Sequence, residues 1–386
     1  MEEELIYRER RGTNSSKWNA LHKKFSRDDL MGLWVADMDF AAAACIRDAL
    51  RKHVDFGVFG YDITPESYYE AFIQWEQTYH GYTVQREWLR YAPGVVAAFN
   101  WFIQLLTKPG DGVLIQTPVY YPFMSAALDN GCRLVKSELI NDHGIYTIDF
   151  ADFEQKLAQE HIKVFLLCSP HNPVGRVWKR EELERMLSLC RRYGVYVVAD
   201  EIHHDFVYEG HQHIPAATVG AYDDMLVTLT APSKTFNLAG LKNSIIIIPD
   251  EKLRKSYDDY TGRLHTSGGN SFGVIAAEAA YRGGRPWLES LLKTIRGNYD
   301  LLVSRLAAEK PDVIVSPLEG TYLAWVDLSH YLKPEEMESF VEGKCGMAVD
   351  YGSWFGGNAS CHIRLNLATR PENISYAADM LCRNLP

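Results

Sequence analysis

TLTAPSKTFNLAGLKN, residues 228–243, places a lysine between two apolar runs. Residues 225–230 and 245–248 are short, apolar and rich in β-formers, so each predicts a buried strand, and Lys234 lies in the connection between them. A half-buried ammonium is costly, and the pKa of such a lysine shifts towards the neutral amine, which is a nucleophile for aldehydes. A lysine on a surface loop is the alternative interpretation of this stretch alone.

Two other apolar runs also end in polar side chains. Residues 163–168 (KVFLLC) lead to Asn172, and residues 195–199 (VYVVA) lead directly to Asp200. Ligands bind beyond the carboxyl ends of the strands in an open parallel sheet, so we expect Asn172, Asp200 and Lys234 along one edge. These groups suit pyridoxal phosphate (PLP): the amine bonds to its aldehyde, the carboxylate keeps its pyridine nitrogen protonated, and the amide binds its ring hydroxyl.

The segments around these three residues resemble a known superfamily. SPHNPVGRVW, VVADEIHHDF and APSKTFNLAGLK are similar to the matching segments of fold-type I PLP enzymes, the aspartate aminotransferase superfamily, and the likeness covers about residues 32–370. The resemblance implies an α/β fold, with a mainly parallel seven-stranded sheet in a large domain and a smaller α+β C-terminal domain. The expected parts are an N-terminal arm and joining segment at 1–45, the large PLP-binding domain at 46–285 and the small domain at 286–386.

A second set of segments indicates the branch of the superfamily. WVADMDF (residues 34–40), GVFGYDITPESYYEAFIQW (57–75) and TPVYYPF (117–123) resemble the MalY/PatB-type cystathionine β-lyases and cysteine-conjugate carbon–sulfur lyases. His203, expected to contact the cofactor, favours the same branch because aminotransferases carry a tyrosine there. The resemblance also implies a homodimer in which Tyr61 reaches the cofactor phosphate of the neighbouring subunit. An exposed loop tyrosine is the alternative.

The expected phosphate site combines a helix start with two polar side chains. Gly94, Val95 and Val96 open a predicted helix, whose free amide groups suit a phosphate. A helix start without a ligand is the alternative. Two positions where aminotransferases carry a serine and an arginine hold alanine and lysine here, so we expect Ser233 and Lys242 to contact the phosphate. Lys242 supplies a point charge rather than a bidentate fork.

The substrate side is predicted from aromatic and basic residues. Tyr120 is expected to stack on the pyridine ring, and Tyr121 to face the substrate. Arg364, in CHIRLNLAT, matches an α-carboxylate by two parallel hydrogen bonds, as the resembled family uses it; a solvated strand charge is the alternative. The resemblance also implies that the backbone near Val35 and Ala36 contacts the carboxylate side of the substrate.

No metal site is predicted. EIHHDFVYEGHQH, residues 201–213, is rich in possible ligands, but it lacks the spacing of H-E-x-x-H, and adjacent residues on a strand point to opposite faces. The seven cysteines are an odd number without a C-x-x-C pair, which favours free thiols in a reducing compartment over disulfides or a zinc site.

Composition narrows the class of protein. A net charge of -10 over 386 residues argues against a nucleic-acid or anionic-membrane partner. The first residues contain no apolar segment like that of a signal peptide, so we expect a cytoplasmic protein. The absence of G-x-G-x-x-G and Walker motifs disfavours nicotinamide and nucleoside triphosphate binding.

The sequence therefore predicts a PLP-dependent β-elimination with Lys234, Asp200 and Tyr120 as the catalytic residues. The expected substrates are L-cystathionine, cystine or S-substituted cysteine conjugates, which would give a thiol or homocysteine, pyruvate and ammonia. Two alternatives stay open: an aminotransferase of aromatic or neutral amino acids, which would use the same residues, and a non-catalytic regulatory protein on the same fold.

Overall fold

The computed structural model describes residues 3–386. The described strands, in chain order, are β1 (Met31–Gly32), β2 (Leu89–Ala92), β3 (Gly112–Thr117), β4 (Arg133–Asp142), β5 (Ile145–Ile148), β6 (Ile162–Cys168), β7 (Tyr196–Asp200), β8 (Leu226–Thr230), β9 (Ser244–Ile247), β10 (Ile314–Val315), β11 (Leu323–Asp327), β12 (Met347–Ala348), β13 (Asp350–Tyr351) and β14 (His362–Asn366). The α-helices are α1 (Ser16–Asn19), α2 (Ala44–Phe56), α3 (Glu66–Trp75), α4 (Val95–Leu106), α5 (Pro122–Asp129), α6 (Phe150–Gln159), α7 (Arg180–Arg192), α8 (Pro232–Thr235), α9 (Glu251–Arg263), α10 (Ser271–Gly283), α11 (Arg285–Glu309) and α12 (Pro371–Asn384).

The large sheet has the order β2-β9-β8-β7-β6-β3-β4-β5. Its centre is parallel, and β9 and β5 run antiparallel to their neighbours β8 and β4. The sheet has eight strands rather than the seven expected. After β4 the chain turns at His143 and Gly144, both with positive φ, and returns as β5 in a hairpin at the edge. Strand β5 has only four residues, which alternate between exposed and buried, whereas the central strands are buried on both faces.

The parallel register places the expected polar residues at one edge. Cys168 at the end of β6 lies opposite Asp200 at the end of β7, and Asp200 lies opposite Leu229 of β8. The chain beyond β6 leads to Asn172, and the chain beyond β8 leads to Lys234. The prediction that three strand ends deliver their side chains to one edge is therefore confirmed.

A second sheet, with the order β10-β11-β14-β13, is antiparallel and much smaller. Helix α11 precedes it and packs against α12. In β14, Arg364 lies opposite Trp325 of β11 on one side and Asp350 of β13 on the other. No helix within residues 3–386 has both the length and the apolar composition needed to cross a membrane.

The N-terminal residues lie against the rest of the chain rather than apart from it. Trp18 and Phe25 are buried, and β1 pairs in parallel with β12 near the C-terminus. Lys17 is also buried, and its Nζ lies 2.9 Å from an oxygen of the Asp39 carboxylate. A buried ammonium needs such a partner, so this ion pair ties the arm to the segment before α2.

Candidate active site

The predicted site residues meet in two adjoining cavities at the carboxyl edge of the large sheet. The first cavity, of about 600 Å³, is lined by eleven of them: Ala36, Gly94, Val95, Val96, Tyr120, Asn172, Asp200, His203, Ser233, Lys234 and Lys242. The second, of about 680 Å³, is lined by Val35, Ala36, Tyr120, Tyr121, Lys234, Lys242 and Arg364. Lys234 belongs to both cavities.

Lys234 lies in α8, the short helix that follows the fully buried strand β8. Its Nζ donates a hydrogen bond to the carbonyl oxygen of Ala36 at 2.7 Å. The pKa of Lys234 is lowered to about 8, because burial and the positive charge of Arg364 outweigh the opposing effect of the Asp37 and Asp200 carboxylates. The amine is thus partly neutral near physiological pH, as a nucleophile or a general base requires. The surface-loop alternative is wrong.

Asp200 is the last residue of β7 and is buried. One carboxylate oxygen accepts a hydrogen bond from the Ile202 amide at 3.1 Å. Burial raises the pKa of Asp200 to about 7, although that hydrogen bond and the charge of Lys234 lower it. A buried carboxylate of this kind is stabilised by a cationic group placed next to it, such as a protonated ring nitrogen.

Arg364 is only 2% exposed, which contradicts the alternative of a solvated strand charge. Its guanidinium donates to Asn172 Oδ1 at 2.9 Å, to the Trp34 carbonyl oxygen at 3.1 Å and to the Asp350 carboxylate. Its Nε has no hydrogen-bond partner among the described residues. The guanidinium is therefore held in place by neighbours, and its Nε is a buried donor without a partner.

Gly94 is the N-cap of α4, and the first turn of this helix forms one wall of the first cavity. A Cβ atom added at Gly94 would meet nothing within 4 Å, so the space over the amide groups of the first turn is open. Lys242 faces the same cavity from a left-handed backbone conformation with φ of 51°. Amide groups of a helix start together with a lysine make a site for an anion.

His203 and Tyr120 are buried titratable groups in the same cavity. Burial and the nearby charge of Lys234 hold the pKa of His203 well below its usual value, so the imidazole is neutral. Its Nδ1 has no hydrogen-bond partner among residues 3–386. Burial raises the pKa of Tyr120, and the Tyr120 amide donates to the Asn172 carbonyl oxygen at 3.0 Å.

The histidine-rich segment does not form one cluster. His203 faces the cavity, whereas His204 joins Glu76 and His80, and these three offer possible ligand atoms within 4.8 Å of one another. His80 and His204 each place a ring nitrogen on a different oxygen of Asp205, at 2.9 and 3.1 Å. Asp205 thus links the two histidines of this group. The absence of a metal site stays a prediction.

Sequence reasoning missed several residues of the two cavities. Asp350 contacts Arg364 only because β13 pairs with β14, a tertiary feature that no local pattern around Asp350 indicates. Asn243 and Ser244 follow Lys242 directly, and their position beside the expected anion site could have suggested them. The other lining residues that were not predicted in the first cavity are Pro93, Ala97, Cys168, Ile202 and Ala239.

Tyr61 is the predicted site residue that the single chain does not bring to either cavity. Its side chain is fully exposed, in a segment that also exposes Phe59 and Ile63. Such a position agrees equally with a loop tyrosine and with a residue that acts on another subunit.

The residues of the first cavity fit PLP. The amine with a lowered pKa, the buried carboxylate, the amide of Asn172 and the open helix start correspond to the aldehyde, ring nitrogen, ring hydroxyl and phosphate of that molecule. The cavity volume is also large enough for a cofactor of this size.

Comparison with known proteins agrees with this chemistry. The family "Aminotransferase class I and II" matches residues 28–381. The chain is 40% identical to cystathionine beta-lyase PatB of Bacillus subtilis (strain 168) over 360 residues, and this alignment covers 93% of each chain. It is 39% identical to a solved PLP-bound putative aminotransferase from Clostridium difficile 630, with a TM-score of 0.95 over 98% of both chains. It is 34% identical to a solved PLP-bound C-S lyase from Staphylococcus hominis, with a TM-score of 0.93 over 98% of this chain and 97% of that one.

These matches confirm the resemblance to fold-type I PLP enzymes and to the MalY/PatB-type lyases, and they confirm the aspartate aminotransferase-like fold. The chain belongs to the aminotransferase class I and II family.

Proposed function

We propose that this protein is a PLP-dependent carbon–sulfur β-lyase. Its substrates are sulfur amino acids such as L-cystathionine, cystine or S-substituted cysteine conjugates, and its products are a thiol or homocysteine, pyruvate and ammonia. The observation that carries the proposal is Lys234, a buried amine with a pKa of about 8 that shares one cavity with Asp200 and a second with Arg364. The B. subtilis relative is named a cystathionine beta-lyase and the S. hominis neighbour a C-S lyase, which supports the choice of substrate.

In the proposed mechanism, PLP supplies, when bound, an aldehyde that bonds to amines and a ring that accepts an electron pair. Arg364 binds the α-carboxylate of the substrate and so orients its Cα. Lys234 takes the Cα proton at its Nζ as general base. Asp200, which is buried, stabilises positive charge on the ring nitrogen. The thiolate then leaves from Cβ as the Cα–Cβ double bond forms, and it takes up a proton. Water hydrolyses the released aminoacrylate to pyruvate and ammonia.

We assign the remaining residues by the groups that they present to the cavities. Asn172 connects the two sides of the site, because its Oδ1 already accepts from Arg364 while its amide faces the first cavity. Tyr120 is the proposed stacking ring, and Tyr121, Val35 and Ala36 are the proposed substrate contacts. The proposed cofactor contacts besides these are Gly94, Val95, Val96, His203, Ser233 and Lys242.

The test is an absorption spectrum followed by a thiol-release assay. Purified protein with added PLP should absorb visible light, and it should release thiol and pyruvate from L-cystathionine without any keto acid. Lys234→Ala should lose both the visible band and the turnover. A visible band with full retention of turnover in Lys234→Ala would contradict the proposal, and a wild-type protein that binds PLP but turns over no amino acid would support the non-catalytic alternative.

The second candidate is an aminotransferase of aromatic or neutral amino acids. The C. difficile neighbour is described as a putative aminotransferase, and every residue assigned above serves transamination equally well. The same assay separates the two functions, since an aminotransferase needs a keto acid as acceptor and releases no thiol. Conversion of an aromatic amino acid that depends on added keto acid, with no thiol from any cysteine conjugate, would favour this candidate.

We further propose that the protein is a homodimer and that Tyr61 of each chain reaches the phosphate site of the other. The exposed apolar side chains of Phe59 and Ile63 beside Tyr61 support a contact with a second copy.

We retain the division into an arm at 1–45, a large domain at 46–285 and a small domain at 286–386. The boundary between the large and small domains is supported by the sheets, since the eight-stranded sheet lies within 46–285 and the four-stranded sheet within 286–386. We also propose a cytoplasmic location, which is supported by seven free cysteines.

A further inference from the structure

Lys24 lies next to two residues that line the second cavity, Trp34 and Tyr121, in an environment of three aromatic rings. Its Nζ is 5.0 Å from the centre of the Tyr121 ring, 4.7 Å from that of Trp354 and 5.6 Å from that of Trp34. Ring faces attract a cation at such distances. The rings therefore hold the ammonium at a defined position, although the Lys24 side chain is exposed.

The ammonium of Lys24 has no carboxylate bound to it. No hydrogen bond or ion pair of its Nζ occurs within residues 3–386. Arg10 also lines the second cavity, but it is bound to Asp37 through two hydrogen bonds of 2.8 and 2.7 Å. An ammonium that is positioned but unpaired is suited to bind an anionic group from solution.

Lys24 borders the cavity that contains the proposed substrate residues. Trp34 and Tyr121, two of its three rings, line the cavity together with Arg364 and Lys234. Its charge also acts on Asp350, the partner of Arg364, where it opposes the rise that burial causes in the pKa of that carboxyl. Arg364 is buried and Lys24 is exposed, so the Lys24 side chain is the more accessible of the two cations to solvent.

We propose that Lys24 and its three rings form a subsite for a carboxylate carried by the leaving group of the substrate. The inference rests on the proposed lyase function and narrows its substrate class. Arg364 binds the α-carboxylate at the inner end, and Lys24 binds a second carboxylate at the outer end. The rings offer an apolar surface to the carbon and sulfur atoms between the two. Thioethers and disulfides whose leaving thiol carries a carboxylate are thus preferred over S-alkyl cysteines without one.

The test compares two substrates that differ only in this charge. S-(2-carboxyethyl)-L-cysteine and S-(2-carbamoylethyl)-L-cysteine have the same shape, but only the first carries a distal carboxylate. We expect wild-type protein with PLP to prefer the acid by about fivefold in kcat/KM, the upper range for an exposed ion pair. The preference should shrink in 0.5 M salt, since salt screens exposed charges.

Lys24→Met should lower kcat/KM for the acid to the value for the amide and leave the amide unchanged, and Lys24→Arg should keep the preference. Lys23→Met is the matched control, because it removes the same charge from the neighbouring exposed residue. An unchanged preference in Lys24→Met, or an equal loss for both substrates, would overturn the subsite. An equal loss of preference in Lys23→Met would also overturn the subsite, because it would show that the overall positive charge of this region, rather than Lys24 itself, attracts the acid.

Binding to Lys234→Ala, measured by calorimetry, separates the subsite from the proposed function. If wild-type protein releases no thiol from either compound, the lyase proposal fails. Tighter binding of the acid than of the amide, lost on adding Lys24→Met to Lys234→Ala, would support the subsite in that case too. Equal binding of the acid and the amide would overturn it.

Discussion

Lys234 and Asp200 have pKa shifts of opposite direction from one physical cause. Burial disfavours the charged form of each, so it lowers the pKa of the lysine to about 8 and raises that of the aspartate to about 7. Both groups therefore change their protonation near neutral pH, where a general base and a partner for a ring nitrogen are most useful. The identity of these two residues follows from the sequence, and their pKa values follow from burial.

At this scale the first prediction concerns how apoprotein takes up PLP. Only the neutral amine of Lys234 attacks an aldehyde, so below pH 8 the rate of uptake should rise about tenfold per pH unit and then level off. The appearance of the visible band after mixing at pH 6 to 9.5 measures this rate. Lys234→Ala is the control and should show no band. A rate that does not change over this range would contradict the lowered pKa.

A second prediction concerns the charge at Asp200. Asp200→Asn keeps the size and the hydrogen bond from Ile202 but removes the negative charge, so kcat should fall by about 10²-fold or more while PLP stays bound. Steady-state thiol release and the visible spectrum measure the two effects. Asp223→Asn, at an exposed position, should change neither. Full activity in Asp200→Asn would remove Asp200 from the catalytic residues.

At the scale of elements, hydrogen bonds to the Asp205 carboxylate hold the helix that carries Lys234. Thr235, the residue after Lys234, donates from its hydroxyl to Asp205 at 2.6 Å. The same carboxylate accepts from Trp75 Nε1 at 3.0 Å and contacts the rings of His80 and His204. Asp205 therefore joins α8 to the end of α3 and to the loop after β7.

Asp205→Asn should lower the free energy of unfolding by about 3 kcal/mol. The buried donors around Asp205 would then face a neutral amide instead of a carboxylate. The histidine contacts hold the pKa of Asp205 well below its usual value. Its contribution to stability is thus present above the ordinary carboxyl pKa of about 4 and is lost as the pH falls through the folded-state pKa. Denaturant unfolding at pH 7 measures the change. Asp223→Asn is again the control, and an equal midpoint for both variants would contradict the role of Asp205.

At the scale of the whole molecule, an exposed apolar segment agrees with the proposed homodimer. Phe56, Phe59 and Ile63 are more than half exposed, next to Tyr61. We expect sedimentation to show a dimer, and we expect Phe59→Glu combined with Ile63→Glu to give a monomer with weaker PLP binding, since charges in an apolar interface are costly. Leu128→Glu, at another exposed apolar residue, should stay dimeric. A wild-type monomer with tightly bound PLP would contradict the proposal.

Some features of the molecule could be predicted because their signals are local. The apolar runs before Asn172, Asp200 and Lys234 predict strands, and parallel strands necessarily share a carboxyl edge. The start of α4 at Gly94 was also predicted, because a turn followed by a helical run marks it. The edge strand β5 was not predicted, because it has only four residues and its place in the sheet depends on a hairpin with β4.

The sequence by itself determined which side chains are the candidates for the chemistry: an amine and an amide that follow buried strands, a carboxylate that ends a strand and an arginine within one. Only the tertiary structure decided how these groups behave. The contact of Asp350 with Arg364, the aromatic rings around Lys24 and the burial that sets the pKa of Lys234 all join residues distant in sequence. Such contacts depend on strand pairing and on packing between elements, so local sequence patterns do not predict them.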